Sequence, residues 1–216
     1  MLRQSLSFLL KCSQTGIVWL FNCPEGCQHI IMHRQIKLNQ ITHIVITNLA
    51  MENLAGLIGL LSSLSLSSRL QNLVIYGPKG LWHYLQFLRK YSQTTFRYSL
   101  KIYIIEEGLL NCHPSYSIYA NPVDMTLTDF EYIIIENEKI GRFKLLKANI
   151  FQINPGPIYG KLKQQHHLML PDGCIVSGQY FTDPYCLGLK IIYLINIYGI
   201  RPSIEDTLIS NRIIQK

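Results

Sequence analysis

No stretch of this chain stays apolar for the roughly 20 residues that a membrane-spanning helix needs. The longest late apolar run, Leu189 to Ile200, is broken by Lys190 and Asn196. The opening R-Q-S-L-S-F-L-L-K alternates polar and apolar residues, which is a strand pattern and not the core of a signal peptide. Cysteine pairs at zinc-module spacing are also missing. The six cysteines are scattered, and only Cys23 and Cys27 stand close together. That excludes a disulfide framework and reads as reduced, mostly buried thiols. No G-x-S-x-G marks a serine nucleophile. Gly77-Pro78-Lys79-Gly80 lacks the length and the Gly-Lys-Ser/Thr ending of a phosphate-binding loop, so it reads as a turn.

Charge is scarce too, at 15% of 216 residues, while hydrophobic residues reach 48%. Such a chain can bury a core and is not disordered. The net charge of +7 suits a polyanionic partner. Ile, Asn, Lys and Tyr, all with AT-rich codons, are heavily used, which points to an organellar or AT-rich bacterial genome.

The pattern of what is present alternates strands and helices, an α/β layered domain. Arg3–Lys11 and Ile17–Phe21 read as strands, and residues 26–35 as a helix. Thr42–Thr47 is a buried strand of β-branched residues. After it, Leu54, Leu57, Ile58 and Leu61 fall at i, i+3, i+4 and i+7, one face of a helix. Further strands are expected at 72–76, 100–105, 117–120, 130–135 and 190–195, and a helix at 79–91. The texture changes between 141 and 187, where Pro155-Gly156-Pro157 precedes Lys161-Leu162-Lys163. The lysines alternate around Leu162, so a strand there would put both on one side. The expected organisation is a core over 1–140, an arm over 141–187, and a returning strand and tail over 188–216.

Several islands carry a family resemblance. Trp19-Leu20-Phe21-Asn22-Cys23 is similar to a W-L-F-D-C strand end, with Glu25, Gln28 and His29 fitting the turn and helix that follow. Tyr76-Gly77-Pro78-Lys79-Gly80, Glu106-Glu107-Gly108, Pro155 to Lys163 and Leu170-Pro171-Asp172-Gly173 follow in order and at fitting distances. Together they resemble tRNase Z, the ribonuclease Z endonuclease that trims the 3′ end of precursor tRNA. The resemblance runs from about Arg3 to about Asn196. It implies a metallo-β-lactamase-type αββα sandwich, truncated here, with a protruding tRNase Z-like arm. The family's opening loop would lie before Met1 and its last strands and ligand histidines after Lys216.

The same resemblance implies zinc as cofactor, and the residues argue against it. In the family a strand ending in Thr is followed by H-x-H-x-D-H. Here Thr47 is followed by Asn48, Ala50, Glu52 and Asn53 at the ligand positions. Met125 stands where a further ligand His is expected, and Asn196 where the bridging Asp is expected. A dinuclear site needs imidazoles and carboxylates, and a neutral amide is a poor substitute. The expectation is loss of zinc and of the family's catalysis. His29 and His33, at i and i+4 without an intervening Glu, read as structural histidines.

The arm is the remaining functional candidate. In the family it grips the tRNA body, and the carry-over falls on Pro155, Gly156, Pro157, Lys161 and Lys163. The expected partners are tRNA and a second copy or related subunit, with no membrane. The erosion and AT-rich usage resemble the tRNase Z-like reading frames of red-algal plastid genomes. Three other readings stay open: an interaction protein without an RNA role, a decaying reading frame, and an active nuclease with a rebuilt site.

Overall fold

The computed structural model describes residues 6–12, 15–123, 129–170, 173–195 and 210–215. The chain divides into two compact units, Met1–Ile134 with Lys190–Lys216, and Ile135–Leu189. The ligand positions Met125 and Asn196, and Pro171 and Asp172 of the expected hairpin, lie outside the described residues.

The first unit is built on two sheets. In the first, β1 (Phe8–Lys11) pairs antiparallel with β2 (Val18–Phe21). Three parallel neighbours follow: β3 (Ile41–Val45), β4 (Leu73–Gly77) and β5 (Leu100–Ile104). Period-two alternation gives each strand one face for helices and one for the other sheet. Val18, Leu20, Ile44, Ile46, Leu73 and Ile75 join a buried cluster with helix residues. Those helices are α1 (Cys27–His33), α2 (Met51–Leu54), α3 (Leu57–Leu66) and α4 (Leu81–Ser92). Leu57, Leu60, Leu61 and Leu64 supply the apolar stripe of α3.

The opposite strand faces carry Trp19, Phe21, His43 and Tyr76. Trp19 stacks on His43 at 4.0 Å and on Tyr76 at 5.7 Å. This face meets the second sheet, whose order is β12 (Arg212–Gln215), β11 (Lys190–Leu194), β8 (Phe130–Glu136), β7 (Tyr116–Pro122) and β6 (Gly108–His113). Trp19 Nε1 donates to Tyr116 Oη at 2.9 Å, and Phe21 meets Tyr132 edge-on at 5.4 Å. The inter-sheet core is therefore aromatic, and the α-on-sheet core is aliphatic. One helix layer and two sheets make up the described part of the sandwich. The helices after α4 belong to the second unit.

The second unit has its own small core. Ala148 of α5 (Leu145–Ile150), Ile153, Leu162 of α6 (Pro157–Lys163) and Phe181 are buried together, flanked by Phe143, Phe151 and Tyr159. A two-stranded ribbon, β9 (Leu168–Met169) with β10 (Ile175–Val176), completes it. Gly178 lies so close to α6 that a Cβ there would meet the Leu162 carbonyl oxygen at 2.5 Å.

Three expectations change. Residues 157–163 form a helix and not a strand, because Pro157 occupies its first turn, where the missing N–H costs nothing. The lysines then lie about 100° to either side of buried Leu162 and do not share one face. Of the six cysteines, only Cys23 and Cys27 are buried; Cys112, Cys174 and Cys186 are exposed. Residues 108–113 form a strand that the alternation there did not announce. No described helix is long and apolar enough to cross a membrane.

His43 sets a pH dependence. Burial first, and the Arg69 cation second, lower its imidazole from an ordinary 6.5 to about 4. The folded state thus holds it neutral, while the unfolded chain protonates it below about 6.5. The unfolded state binds the extra proton between these values, so stability falls as pH drops from 6.5 to 4. Urea midpoints measured at pH 7 and pH 4.5 should show a smaller fall in His43→Phe than in the parent chain. An equal fall in both would assign the acid sensitivity to other groups.

Candidate functional site

The Asn48–Asn53 loop starts where β3 runs out and α2 begins. Its first support is Asn22, at the end of β2. Asn22 adopts a left-handed backbone, φ +57°, which Asn tolerates better than most residues. Its Oδ1 accepts from the Thr47 N–H at 3.0 Å and from Thr47 Oγ1 at 2.9 Å. Its Nδ2 donates to the Leu6 carbonyl at 2.9 Å. One fully buried amide therefore ties the ends of β2 and β3 to the segment before β1.

From Thr47 the chain of bonds runs outward. Asn53 Nδ2 donates to Thr47 Oγ1 at 3.3 Å and to Asn48 Oδ1. The Ala50 N–H also donates to Asn48 Oδ1, at 3.1 Å, closing the loop on itself. Asn48 Nδ2 then donates to Asp129 Oδ1 at 2.7 Å, just before β8. Backbone contacts anchor the far side. The Cys23 N–H donates to the Asn53 carbonyl at 2.7 Å, and the Gly56 N–H donates to the Cys23 carbonyl at 2.9 Å. The Cys23 and Cys27 sulfurs sit 3.0 Å apart beneath this loop. The bond to Cys27, and burial after it, push the Cys23 thiol far up, so it stays protonated.

Two tyrosines floor the site from the second sheet. Tyr132 and Tyr193 are fully buried. Burial pushes both phenols up, Tyr132 strongly; Thr47 and Asn22 oppose the shift at Tyr193 without forming a bond of good geometry.

The donor set is wrong for zinc. Asn48 and Asn53 are neutral amides already bonded to each other, and Ala50 offers no donor. Glu52 is exposed on α2. Asp129 supplies the one carboxylate in the network, and Asn48 already occupies it. The buried Asn53 Oδ1 lacks a partner among the described residues, but a single carboxamide oxygen does not hold a zinc ion. Among the described residues no three His, Cys, Asp or Glu side chains come together as a metal site. The described residues of the site do not fit the family's two metal ions. Asp129 was not legible as a site residue: it enters only because two sheets pack.

The arm residues lie in the second unit. Pro155, Gly156 and Pro157 are exposed and lead into α6, with Lys161 and Lys163 exposed at its end. Three other lysines of this unit are spoken for. Lys139 pairs with Glu136, and Lys144 with Asp183 at 2.8 Å. Lys147 donates to the Tyr180 carbonyl at 3.1 Å and lies over its ring at 3.9 Å. Lys161 and Lys163 form no ion pair among the described residues. His29 and His33 are both exposed on α1.

The amide network predicts its own energetics. Asn53→Ala should destabilise the fold by about 1–3 kcal/mol, the cost of stranding a buried partner. Asn48→Ala, at a half-buried position, should cost less. Urea unfolding checks both, and equal small losses would mean that the network contributes little.

No model of a protein family matches the chain. Individual proteins do. The uncharacterised protein ycf56 of Porphyra purpurea is 41% identical over 187 residues, covering 87% of this chain and 71% of that protein. Ribonuclease Z of Acaryochloris marina is 38% identical over 191 residues, covering 88% of this chain and 61% of the enzyme. The chain thus spans less than two thirds of that ribonuclease Z. Among solved structures, the short form of human tRNase Z superposes with a TM-score of 0.53 at 26% identity, over 60% of this chain and 57% of that one. With its sandwich and its loop at the ligand positions in place, the chain belongs to the ribonuclease Z family of the metallo-β-lactamase superfamily, with red-algal ycf56 proteins among its relatives.

Proposed function

We propose that this protein is a ribonuclease Z-like tRNA-binding protein without nuclease activity of its own, working in the plastid. The observation that carries the loss of cleavage is the bonding of Asn48 to both Asn53 and Asp129 at the ligand positions. A nuclease of this family needs metal-bound hydroxide as nucleophile. Amides cannot assemble it. The plastid placement rests on the similarity to the ycf56 proteins of Porphyra purpurea and Pyropia yezoensis, and organelle fractionation checks it.

The tRNA reading rests on the relatives' activity and on the arm. Exposed Lys161 and Lys163, without acidic partners among the described residues, are free to meet phosphate. Pro155 and Gly156 supply an exposed turn for close backbone approach. The same unit exposes Leu145, Leu146 and Ile150 on α5. Such a patch favours pairing, with a second copy or with an intact subunit whose metal site does the cutting.

Precursor tRNA should bind and remain uncut. Phosphate contacts release counterions, so affinity falls as salt rises. Lys161→Ala with Lys163→Ala should flatten the log–log salt slope by about two, near one per lost contact. Lys11→Ala with Lys37→Ala, an equal charge loss outside the arm, should leave most of the slope. Equal flattening by both pairs would reduce the arm to non-specific basicity. Cleavage by the purified chain would overturn the pseudoenzyme reading, and a monomer at every concentration would remove the pairing.

A further inference from the structure

The net charge of this chain is not spread evenly. The first 105 residues hold ten lysines and arginines against two glutamates, and the remaining residues hold ten against eleven acids. Between Glu52 and Glu106 there is no acidic residue at all. Arg69, the buried cation of that stretch, is satisfied by the Asn39, Gln71 and Asn72 carbonyls and not by a carboxylate. The other five, Lys79, Arg89, Lys90, Arg97 and Lys101, are exposed. Cations without acidic neighbours in their own stretch attract a polyanion.

Helix α4 stands in the middle of the stretch, and its outer face is unusual. Leu81 and Leu85 are buried, and Tyr84 and Leu88 half-buried, which fixes the inner arc. At 100° per residue, the remaining arc carries Arg89 and Trp82 on one flank, Lys90 at its centre, and Phe87 and Tyr91 on the other flank. The three aromatics are 49%, 60% and 76% exposed. Phe87 and Tyr91 lie 6.4 Å apart with their rings within 5° of parallel. Beside them, a surface depression of about 580 Å³ runs between Gln86, Arg89 and Thr95. Exposed aromatics normally cost solubility, and here the cations between them restore it while adding a charge for a ligand to read.

We propose that the outer face of α4 is a binding surface for single-stranded RNA, separate from the arm. A strand crossing the helix stacks unpaired bases on Trp82 at one flank and on Phe87 and Tyr91 at the other, and its phosphates meet Arg89 and Lys90 on the way. A duplex hides the faces of its bases, so it lacks the stacking half of this interaction. An anionic lipid surface would satisfy the charge but leave the parallel rings without a planar partner. The recognition is therefore tolerant of sequence, since every base has a π-face.

The two tryptophans make the test direct. Trp19 is 1% exposed and donates to Tyr116, so a quench on adding nucleic acid reports Trp82. The full chain is titrated with a ten-nucleotide oligouridylate, with an RNA duplex of equal length, and with phosphatidylglycerol vesicles. The single strand should quench saturably and the duplex only weakly. Phe87→Ala and Tyr91→Ala, both at exposed positions, should each weaken binding by about tenfold. Arg89→Gln with Lys90→Gln should flatten the salt slope by about 1.4. Trp82→Phe should abolish the quench while a labelled oligonucleotide still binds. Lys161→Ala with Lys163→Ala should leave the quench unchanged, so this surface and the arm fail or stand separately. Absence of quenching, equal quenching by the duplex, a response to vesicles alone, or indifference to both aromatic substitutions would each overturn the proposal.

Discussion

The side chain of Asn22 holds the site end of this fold together. Its carboxamide oxygen takes both the N–H and the hydroxyl of Thr47, and its nitrogen reaches the Leu6 carbonyl. Both polar ends are needed. A carboxylate there would still accept from Thr47, but it would face the Leu6 carbonyl with a second oxygen and no donor. With Thr47 fixed, its hydroxyl accepts from Asn53, Asn53 reaches Asn48, and Asn48 reaches Asp129 on the second sheet. The bond sequence starts in the buried end of the first sheet and finishes on the other. It runs through the residues that the resemblance puts at the family's ligand positions, and it joins the two sheets with hydrogen bonds.

That substitution has a physical logic. A dinuclear zinc centre is a set of strong cross-links between loops, and its ligands, once stripped of metal, are charges and imidazoles left facing each other. Replacing them by amides removes the like-charge repulsion and supplies donors and acceptors in equal measure. A buried network is stable only when its members are satisfied, and one acceptor here, Asn53 Oδ1, is not. The loop is therefore compatible with the sandwich without being an optimum for it.

Much of the first sheet was legible from its sequence, because β-branched and aromatic residues alternate with a clean period of two and turns follow at Gly and Pro. The helix at 57–66 was legible in part: Leu57 and Leu61 of the expected stripe are buried on it, while Leu54 belongs to the separate α2 and Ile58 is half-buried. The Lys161-Leu162-Lys163 alternation misled, since a single buried leucine between two exposed lysines fits a strand and a helix equally. The deciding residue was Pro157, whose preference for a helix's first turn outweighs a three-residue pattern. That Asn48, Ala50 and Asn53 carry no imidazole or carboxylate could be read one by one. Their bonding to one another could not, because Asn48 and Asp129 are 81 residues apart and meet only through the packing of two sheets. Nor did composition show that the net positive charge sits in the first half of the chain, which gives α4 its interest.

The central claim is that the ligand positions have been rebuilt as a closed amide network that does not take metal. Elemental analysis of the purified, refolded chain after equilibration with excess zinc and removal of loosely bound ions measures this directly. The account predicts well under one zinc per chain, and the same unfolding midpoint with and without zinc. About two tightly held zinc ions per chain, with a midpoint raised by the metal, would contradict it.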